Sequence, residues 1–297
     1  MTITVGQLIE EVSARFERAE LAFGHGTDNP WDEAVALVLG VSGQPDDQSA
    51  LNAIVSDADC AQIQQVAQAR ESSRQPLTYL LGWCHYAGYQ FAVEPGVMVP
   101  RSPIGLLLAD RLDAYLSKPP QRVLDLCSGT GCLGIMAAHR FPQARITLIK
   151  MDSQACEVAM RNVHAHGLSE RCEIVQADAT RVQLSAPADL VLCNPPYVNA
   201  ADMQDLPGEF RAEPRAGLAA GPDGLDVMAP VLDHLARYLA PGGLFVGEVG
   251  ASQPALELRY AHLPLIWLEL PMGGEGIFLL EADQVSSHTA QRINPSA

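Results

Sequence analysis

The sequence predicts an α/β fold, in which a mostly parallel β-sheet with an antiparallel last strand follows a small helical N-terminal domain. Three observations support this prediction. From Arg122 onward, short apolar runs alternate with helical patterns, as in parallel sheets that helices cover on both faces. Residues 1–82 show helical periodicity only. The 297 residues are 48% hydrophobic and 18% charged, which is ordinary for a folded protein and excludes disorder over the whole chain.

Residues 1–82 are expected to form a domain of their own. Apolar residues three or four positions apart predict helices over 5–22, 31–40 and 58–73. A glycine-rich break at 24–30 separates the first two helices, and its last residue is a proline, which suits the first turn of a helix.

Residues 83–100 change to a pattern rich in aromatic and β-branched residues. This pattern predicts two short strands that turn at Glu94-Pro95-Gly96. We interpret the segment as a hairpin that links two domains. A helix over about 104–116 follows it.

Residues 101–284 are expected to form the second domain. Its strands are predicted over 123–127, 146–149, 172–175, 188–193, 244–249, 265–270 and 276–280, and its helices over 132–141, 154–166 and 225–239. The last two strands are separated by a short segment with Gly273-Gly274, so an antiparallel hairpin is expected there. Residues 285–297 are polar and are predicted to be a disordered tail.

The charge balance disfavours a protein that grips nucleic acid through its phosphates. The chain has 35 acidic residues against 19 Lys and Arg, a net charge of −16, and a phosphate-binding surface needs the opposite sign. An acidic surface instead attracts a basic partner. We therefore expect no direct nucleic-acid specificity.

The chain is expected to be cytoplasmic and without a membrane span. No stretch approaches the roughly 20 apolar residues that cross a bilayer, and the acidic N-terminus does not resemble a signal peptide. The seven cysteines are scattered, which fits a reducing compartment. They complete no zinc-binding cluster, so no metal is expected.

A glycine-rich turn follows the first strand of the predicted sheet. It reads Asp125-Leu126-Cys127-Ser128-Gly129-Thr130-Gly131 and opens the next helix. Gly129 and Gly131 allow a ligand to approach the backbone closely, and Asp125 offers an acceptor for a ligand ammonium. By itself, the turn is equally compatible with a tight corner between a strand and a helix.

A second motif, Asn194-Pro195-Pro196-Tyr197, follows the fourth strand. Two prolines cannot continue a sheet ladder, so they predict a rigid turn at the strand end. The Asn194 side chain and the Pro195 carbonyl then provide two acceptors for the hydrogens of a planar amino group, on which Tyr197 can stack. The alternative is a turn in which Asn194 only caps a helix.

With these two motifs, the chain resembles class I S-adenosylmethionine-dependent methyltransferases with a Rossmann-like sheet, in the family that methylates glutamine side-chain nitrogen on translation proteins. The resemblance covers nearly the whole chain and is closest to the branch that modifies ribosomal protein three of the large subunit. As in that branch, Pro100-Arg101 is followed by Ser102-Pro103-Ile104, not by Pro-Glu-Thr. Further similar segments are Phe23 to Asn29, Trp31 to Ala34, Glu213-Pro214, Leu218 to Gly221 and Asp223 to Asp226.

The resemblance implies a role for each motif. S-adenosyl-L-methionine would be the cofactor, with its methionine part surrounded by Asp125, Cys127, Ser128, Gly129, Thr130 and Gly131. Asp178 would face the adenine amino group, and Asn194 would contact both cofactor and substrate. The acceptor amide would lie against Asn194, Pro195, Pro196 and Tyr197, with catalysis assigned to Asn194, Pro195 and Tyr197. Residues 1–82 would recognise the substrate, a basic ribosomal protein of the large subunit.

One position departs from the family pattern. Lys150 stands where the family has an acid that accepts both ribose hydroxyls. An ammonium only donates hydrogen bonds, so the loss could cost roughly 1.5–3 kcal/mol of cofactor binding. Two alternatives stay open. One is an adenine-N6 nucleic-acid methyltransferase, because such enzymes share the motif at 194–197. The other is a cofactor-impaired binding protein with the same fold, which Lys150 alone supports.

Overall fold

The computed structural model describes residues 3–270 and 274–284. The N-terminal part is helical, as predicted. Its helices are α1 (Val5–Arg18), α2 (Pro30–Ser42), α3 (Asp57–Ser73) and the short α4 (Leu77–Leu81). They bury their own apolar cluster, in which Leu8, Phe16 and Ile63 have no more than 1% of their surface exposed.

The ends of these helices follow from local chemistry. Thr4 caps α1 through a reciprocal pair of hydrogen bonds with Gln7, and Asn29 caps α2 ahead of Pro30. The first helix ends four residues earlier than predicted, because Glu20 adopts a φ of +48° that no helix continues.

The hairpin is present, but the predicted turn at Glu94-Pro95-Gly96 is wrong. Strands β1 (Trp83–Tyr86) and β2 (Tyr89–Ala92) turn at Ala87-Gly88, so that Tyr86 pairs with Tyr89. Both turn residues have positive φ, +48° and +85°, as two-residue hairpin loops require. Alanine seldom adopts such a φ, which is why the residue types did not reveal the turn.

The predicted helix over 104–116 is interrupted. Helix α5 (Pro103–Asp110) begins after its cap Ser102, and a 3₁₀ turn, Leu112–Tyr115, continues it. Arg111 separates the two with a non-helical backbone.

The second part of the chain is a sheet of seven strands flanked by helices. In chain order its elements are β3 (Arg122–Leu126), α6 (Cys132–Arg140), β4 (Arg145–Lys150), α7 (Ser153–Ala165), β5 (Cys172–Gln176), β6 (Ala188–Cys193), α8 (Asp202–Asp205), α9 (Arg215–Leu218), α10 (Met228–Asp233), β7 (Leu239–Glu248), α11 (Gln253–Arg259), β8 (Ile266–Leu268) and β9 (Ile277–Glu281). The helical pattern over 225–239 gives only α10 and a 3₁₀ turn, and α11 was not predicted.

The strand order is β5-β4-β3-β6-β7-β9-β8. The first five strands in this order are parallel, whereas β9 is antiparallel to both β7 and β8. This confirms the predicted α/β sheet with an antiparallel last strand. The order reverses between β3 and β6, and in open α/β sheets ligands bind at the carboxyl ends of the strands beside such a reversal.

The two faces of the sheet bury separate apolar clusters. One contains residues of α5, α6 and the hairpin, and the other contains residues of α10 and α11. Gly273 of the predicted Gly273-Gly274 turn and the predicted tail 285–297 lie outside the described residues. Within the described ranges, no helix is both long and apolar enough to cross a bilayer.

Candidate active site

A cavity of about 870 Å³ lies at the carboxyl ends of the parallel strands, where the strand order reverses. The turn after β3 and the residues after β4 and β5 form one end of it, which we call the cofactor end. The residues after β6, together with Arg101, Phe210 and Glu248, form the other, which we call the acceptor end. The two sequence motifs are therefore brought to one cavity.

The glycine-rich turn presents backbone to the cofactor end. Cys127, Ser128, Gly129 and Thr130 line the cavity. Gly129 has a φ of +48°, and a Cβ built there would meet no atom closer than 4.0 Å. A ligand can therefore approach the main chain at this residue directly.

Gly131 and Gly134 serve packing. A Cβ on Gly131 would lie 3.2 Å from Leu148 Cδ1, and one on Gly134 would lie 2.1 Å from Leu148 Cδ2. Gly129, Gly131 and Gly134 thus have the spacing G-x-G-x-x-G, in which the third glycine lets a helix pack closely on its strand. Sequence reasoning missed this spacing, and with it the packing role of Gly134.

Asp125 lies behind the turn and is fully buried. Its Oδ2 accepts a 2.9 Å hydrogen bond from the backbone N–H of Gly134 in α6, and its Oδ1 has no hydrogen-bond partner among the described residues. Burial raises the pKa of Asp125 to about 7, against the opposing effects of this hydrogen bond and of Lys150. Asp125 therefore supports the turn from behind, and its contact with a ligand ammonium stays a prediction.

Lys150, the last residue of β4, lies in the wall of the cofactor end with 4% of its surface exposed. Its Nζ donates a 2.7 Å hydrogen bond to the carbonyl oxygen of Gly129. Burial lowers the pKa of Lys150 to about 8, although the Asp125 carboxylate favours the charged form. Nearby Asp152 caps α7, because its Oδ1 accepts from Ala155 N at 2.8 Å.

Asp178 lines the cofactor end beyond β5. Its Oδ1 accepts hydrogen bonds from the backbone N and the hydroxyl of Thr180, at 2.8 and 2.7 Å. These bonds hold the pKa of Asp178 below its usual value. The carboxylate is therefore an ionised acceptor in the cavity wall.

The residues from Asn194 to Tyr197 lie at the acceptor end, directly after β6. The Asn194 side chain makes no hydrogen bond to any other described residue, so its amide is available to a ligand. The turn itself is held in place: Ser252 Oγ donates a 2.8 Å hydrogen bond to the Tyr197 carbonyl oxygen. The Tyr197 hydroxyl donates to Glu248 Oε1 at 3.1 Å.

Sequence reasoning missed Glu248, which ends β7 and is 4% exposed. Its Oε2 also accepts a hydrogen bond from Ser102 Oγ. Burial raises the pKa of Glu248 to about 6, against the effects of these two hydrogen bonds and of Arg101. An acid that ends an apolar strand at the ligand-binding edge is a visible signal of such a residue.

A second missed group joins the helical part of the chain to the acceptor end. Arg101 Nη2 lies 2.6 Å from Glu213 Oε2, and Val99 N donates to the same carboxylate at 3.2 Å. His25 belongs to the turn after α1, and its Nε2 atom lies 3.4 Å from Glu213 Oε2 without making a hydrogen bond. The centres of the His25 and Phe210 rings are 4.4 Å apart. Gly24, Gly26 and Asp28 of the same turn line the cavity.

Comparison with known proteins shows the family to which the chain belongs. A family model described as "Methyltransferase small domain" matches residues 105–221. The chain is 38% identical to the ribosomal protein uL3 glutamine methyltransferase of Bordetella pertussis over 288 residues, which is 96% of this chain and 97% of that protein. It is 37% identical to the protein of the same name from Burkholderia pseudomallei, over 95% of both chains. The chain belongs to the uL3 glutamine methyltransferase family.

Among solved structures, the chain is similar to a methyltransferase from Pyrococcus furiosus, with a TM-score of 0.48 and 15% identity. The likeness covers 64% of this chain and 87% of that one.

As a member of this methyltransferase family, the chain uses S-adenosylmethionine as its cofactor. The cavity fits the group in three respects: its size, the open backbone at Gly129, and the ionised acceptor at Asp178. Lys150 does not fit this cofactor, because its buried ammonium adds positive charge to a site for a sulfonium cation.

Proposed function

We propose that this methyltransferase modifies the side-chain amide nitrogen (N5) of a glutamine in a ribosomal protein of the large subunit. The observation that carries the proposal is the position of Asn194 and Pro195. They lie in the same cavity as the glycine-rich turn, at the carboxyl end of the strand next to β3. A donor group at that turn and an acceptor amide at Asn194 would therefore face each other within one cavity.

The relatives support the identity of the substrate. Two relatives that match this chain over almost its whole length are named for methylation of ribosomal protein uL3. A ribosomal protein is a basic partner, and the net charge of −16 on this chain attracts such a partner electrostatically.

The chemical task at the acceptor end is orientation. An amide nitrogen is a poor nucleophile, because its lone pair is delocalised into the carbonyl group. When bound, S-adenosylmethionine supplies an electrophilic methyl group on a sulfonium. Asn194 Oδ1 and the Pro195 carbonyl oxygen would accept the two amide hydrogens and so aim the nitrogen lone pair, while Tyr197 packs against the amide plane. Positioning of this kind supplies several kcal/mol of the barrier.

The same acceptors act electrostatically during the reaction. Positive charge develops on the amide nitrogen as it is methylated, and oxygen atoms held beside it by a rigid turn stabilise that charge without rearranging. The two prolines and the hydrogen bond from Ser252 to the Tyr197 carbonyl provide that rigidity. The nitrogen loses its proton after the methyl transfer, so the step needs no strong base.

The helical part of the chain is proposed to recognise the protein substrate. Its turn after α1 lines the cavity with Gly24, Gly26 and Asp28, so a protein substrate whose glutamine enters this cavity can reach the turn. The cluster of His25, Glu213 and Arg101 ties this turn to the same end of the cavity. The turn therefore belongs to the substrate side of the site.

The decisive experiment compares two substrate classes. The purified chain would be incubated with labelled S-adenosylmethionine and either large-subunit ribosomal proteins or duplex DNA. We expect label on one glutamine of a ribosomal protein, located by mass spectrometry, and none on DNA. Label on adenine would support a nucleic-acid methyltransferase instead. Absence of calorimetric binding of S-adenosylmethionine would support a cofactor-impaired protein.

A further inference from the structure

Glu248 occupies a position from which it can control the acceptor end. It follows Gly247, whose partner in the parallel pairing of β6 and β7 is Cys193, the residue before Asn194. The carboxylate therefore lies one strand away from the start of the acceptor motif. It is buried and still lines the cavity.

Two hydroxyl groups from different segments converge on this carboxylate. Tyr197 Oη donates to Oε1 at 3.1 Å, and Ser102 Oγ donates to Oε2. Ser102 Oγ also accepts from Ile104 N at 3.2 Å, which caps α5. A single carboxylate thus connects the acceptor motif to the segment that carries Arg101.

The other side of the Tyr197 ring is closely packed. A Cβ built on Gly250 would lie 2.6 Å from Tyr197 Cε2, so the backbone of Gly250 lies directly against the ring. With one ring edge against a backbone and the hydroxyl bonded to Glu248, the ring has little freedom to rotate or shift. An ionised carboxylate only accepts hydrogen bonds, so it dictates that both hydroxyls donate to it.

We propose that Glu248 is a positioning residue for methyl transfer, which acts by holding the Tyr197 ring in the place and orientation that the acceptor amide needs. The inference rests on the proposed acceptor site. Glu248 does not itself react with substrate: its effect passes through Tyr197.

The charged and titratable groups that face Glu248 come from four segments. They are Tyr86 of β1, Arg101 before α5, Cys193 of β6 and Tyr197. Burial raises the pKa values of both tyrosines and of Cys193, so none of these three loses a proton near neutral pH. Glu248, with a pKa of about 6, is the group in this set that changes charge between pH 5 and 7.

The charge on Glu248 decides the pH dependence of the reaction. Above pH 6 the carboxylate is ionised and accepts from both hydroxyls. Below pH 6 it becomes protonated and one oxygen turns into a donor, so the hydrogen bond from one of the two hydroxyls is lost or reversed. The turnover number should therefore fall as the pH drops through about 6.

The test compares Glu248→Gln, Tyr197→Phe and the double variant, with Glu281→Gln as a control on an exposed glutamate of β9. We expect Glu248→Gln to lower kcat roughly 10- to 100-fold, by loss of alignment, while the calorimetric Kd for S-adenosylmethionine changes by less than about 2-fold. The fall of kcat below pH 6 should disappear in Glu248→Gln and persist in Glu281→Gln. Tyr197→Phe should add little to Glu248→Gln, because both remove the same contact.

A second measurement needs no substrate. In protein labelled with ¹³C at the tyrosine ring carbon that bears oxygen, the Tyr197 signal is assigned by its loss in Tyr197→Phe. We expect this signal to titrate near pH 6 in the wild type and to shift and stop titrating in Glu248→Gln. Wild-type kcat and an unchanged pH profile in Glu248→Gln would overturn the inference, as would additive losses in the double variant or an unshifted Tyr197 signal. If the wild type methylates no ribosomal protein but the Tyr197 signal behaves as expected, the proposed function fails and the contact stands.

Discussion

The ammonium group of Lys150 donates a 2.7 Å hydrogen bond to the carbonyl oxygen of Gly129, in the turn that lines the cofactor end of the cavity. This contact gives the buried lysine a structural role, since it ties the end of β4 to the turn after β3. It also leaves a cation in a site for a positively charged cofactor. The hydrogen bond stabilises the fold, whereas the positive charge weakens cofactor binding. Substitution of Lys150 should therefore change stability and affinity in opposite directions.

We expect Lys150→Asp to bind S-adenosylmethionine at least ~10-fold more tightly than the wild type, the equivalent of about 1.4 kcal/mol. The substitution removes a cation and adds two acceptors for ribose hydroxyls. Lys150→Met is the matched control, because it removes the cation and adds no acceptor. Calorimetry at one salt concentration measures both.

The gain in affinity that Lys150→Asp brings should be smaller for a cofactor analogue that lacks both ribose hydroxyls. Equal Kd values for the wild type and Lys150→Asp would mean that another group, such as Asp152 at the start of α7, already accepts from the ribose. Both variants should unfold at lower denaturant than the wild type, because the hydrogen bond to Gly129 is lost.

Asn194→Ala should lower kcat far more than it weakens cofactor binding. The Asn194 side chain has no hydrogen-bond partner among the described residues, so its removal breaks no hydrogen bond within them and acts chiefly on the acceptor. Steady-state kinetics with the ribosomal protein substrate measures the effect. Asn52→Ala, at an exposed position in the helical part, serves as the control and should keep full activity. Near wild-type turnover in Asn194→Ala would disprove the proposed clamp.

Asp28→Lys should raise KM for the basic protein substrate several-fold and leave the Kd for S-adenosylmethionine unchanged. Asp28 is exposed and lines the cavity from the helical side, so reversing its charge places a cation where we propose that a basic partner docks. Asp46→Lys makes the same change of net charge at an exposed position that the cavity lining does not include. If both variants raise KM equally, the effect is one of total charge and the local role of the turn is wrong.

Arg70→Met should destabilise the fold by about 3–5 kcal/mol, the cost of leaving the buried Glu33 carboxylate without its charged partner. Arg70 is fully buried: its Nε lies 2.6 Å from Glu33 Oε1, and its Nη1 lies 3.9 Å from Glu209 Oε1. Arg161→Met is the control, because its pairing with Glu94 is half exposed and should be worth no more than about 1 kcal/mol. Urea denaturation measures both, and equal losses would contradict the argument.

The position of both site motifs was predictable from sequence. Each follows an apolar run that reads as a strand, and parallel strands end at a common edge, so motifs that begin at Asp125 and Asn194 could be placed together. The α/β class followed from the same alternation, and the antiparallel last strand followed from the short connection that precedes it. The hairpin turn was not predictable, because Ala87 adopts a positive φ that the neighbouring strands impose on it.

The sequence by itself determined the fold class, the two motifs at the sheet edge and the unusual lysine at 150, because local periodicity and residue type carry that information. Only the tertiary structure decided which polar groups share a buried environment. Asp125 lies behind its turn and not in the cavity, and Lys150 donates a hydrogen bond to Gly129. Glu248 accepts a hydrogen bond from the hydroxyl of Tyr197, which is 51 residues away in the sequence. Such contacts join segments far apart in the chain, and their geometry depends on how the layers pack, which the local pattern of residues does not record.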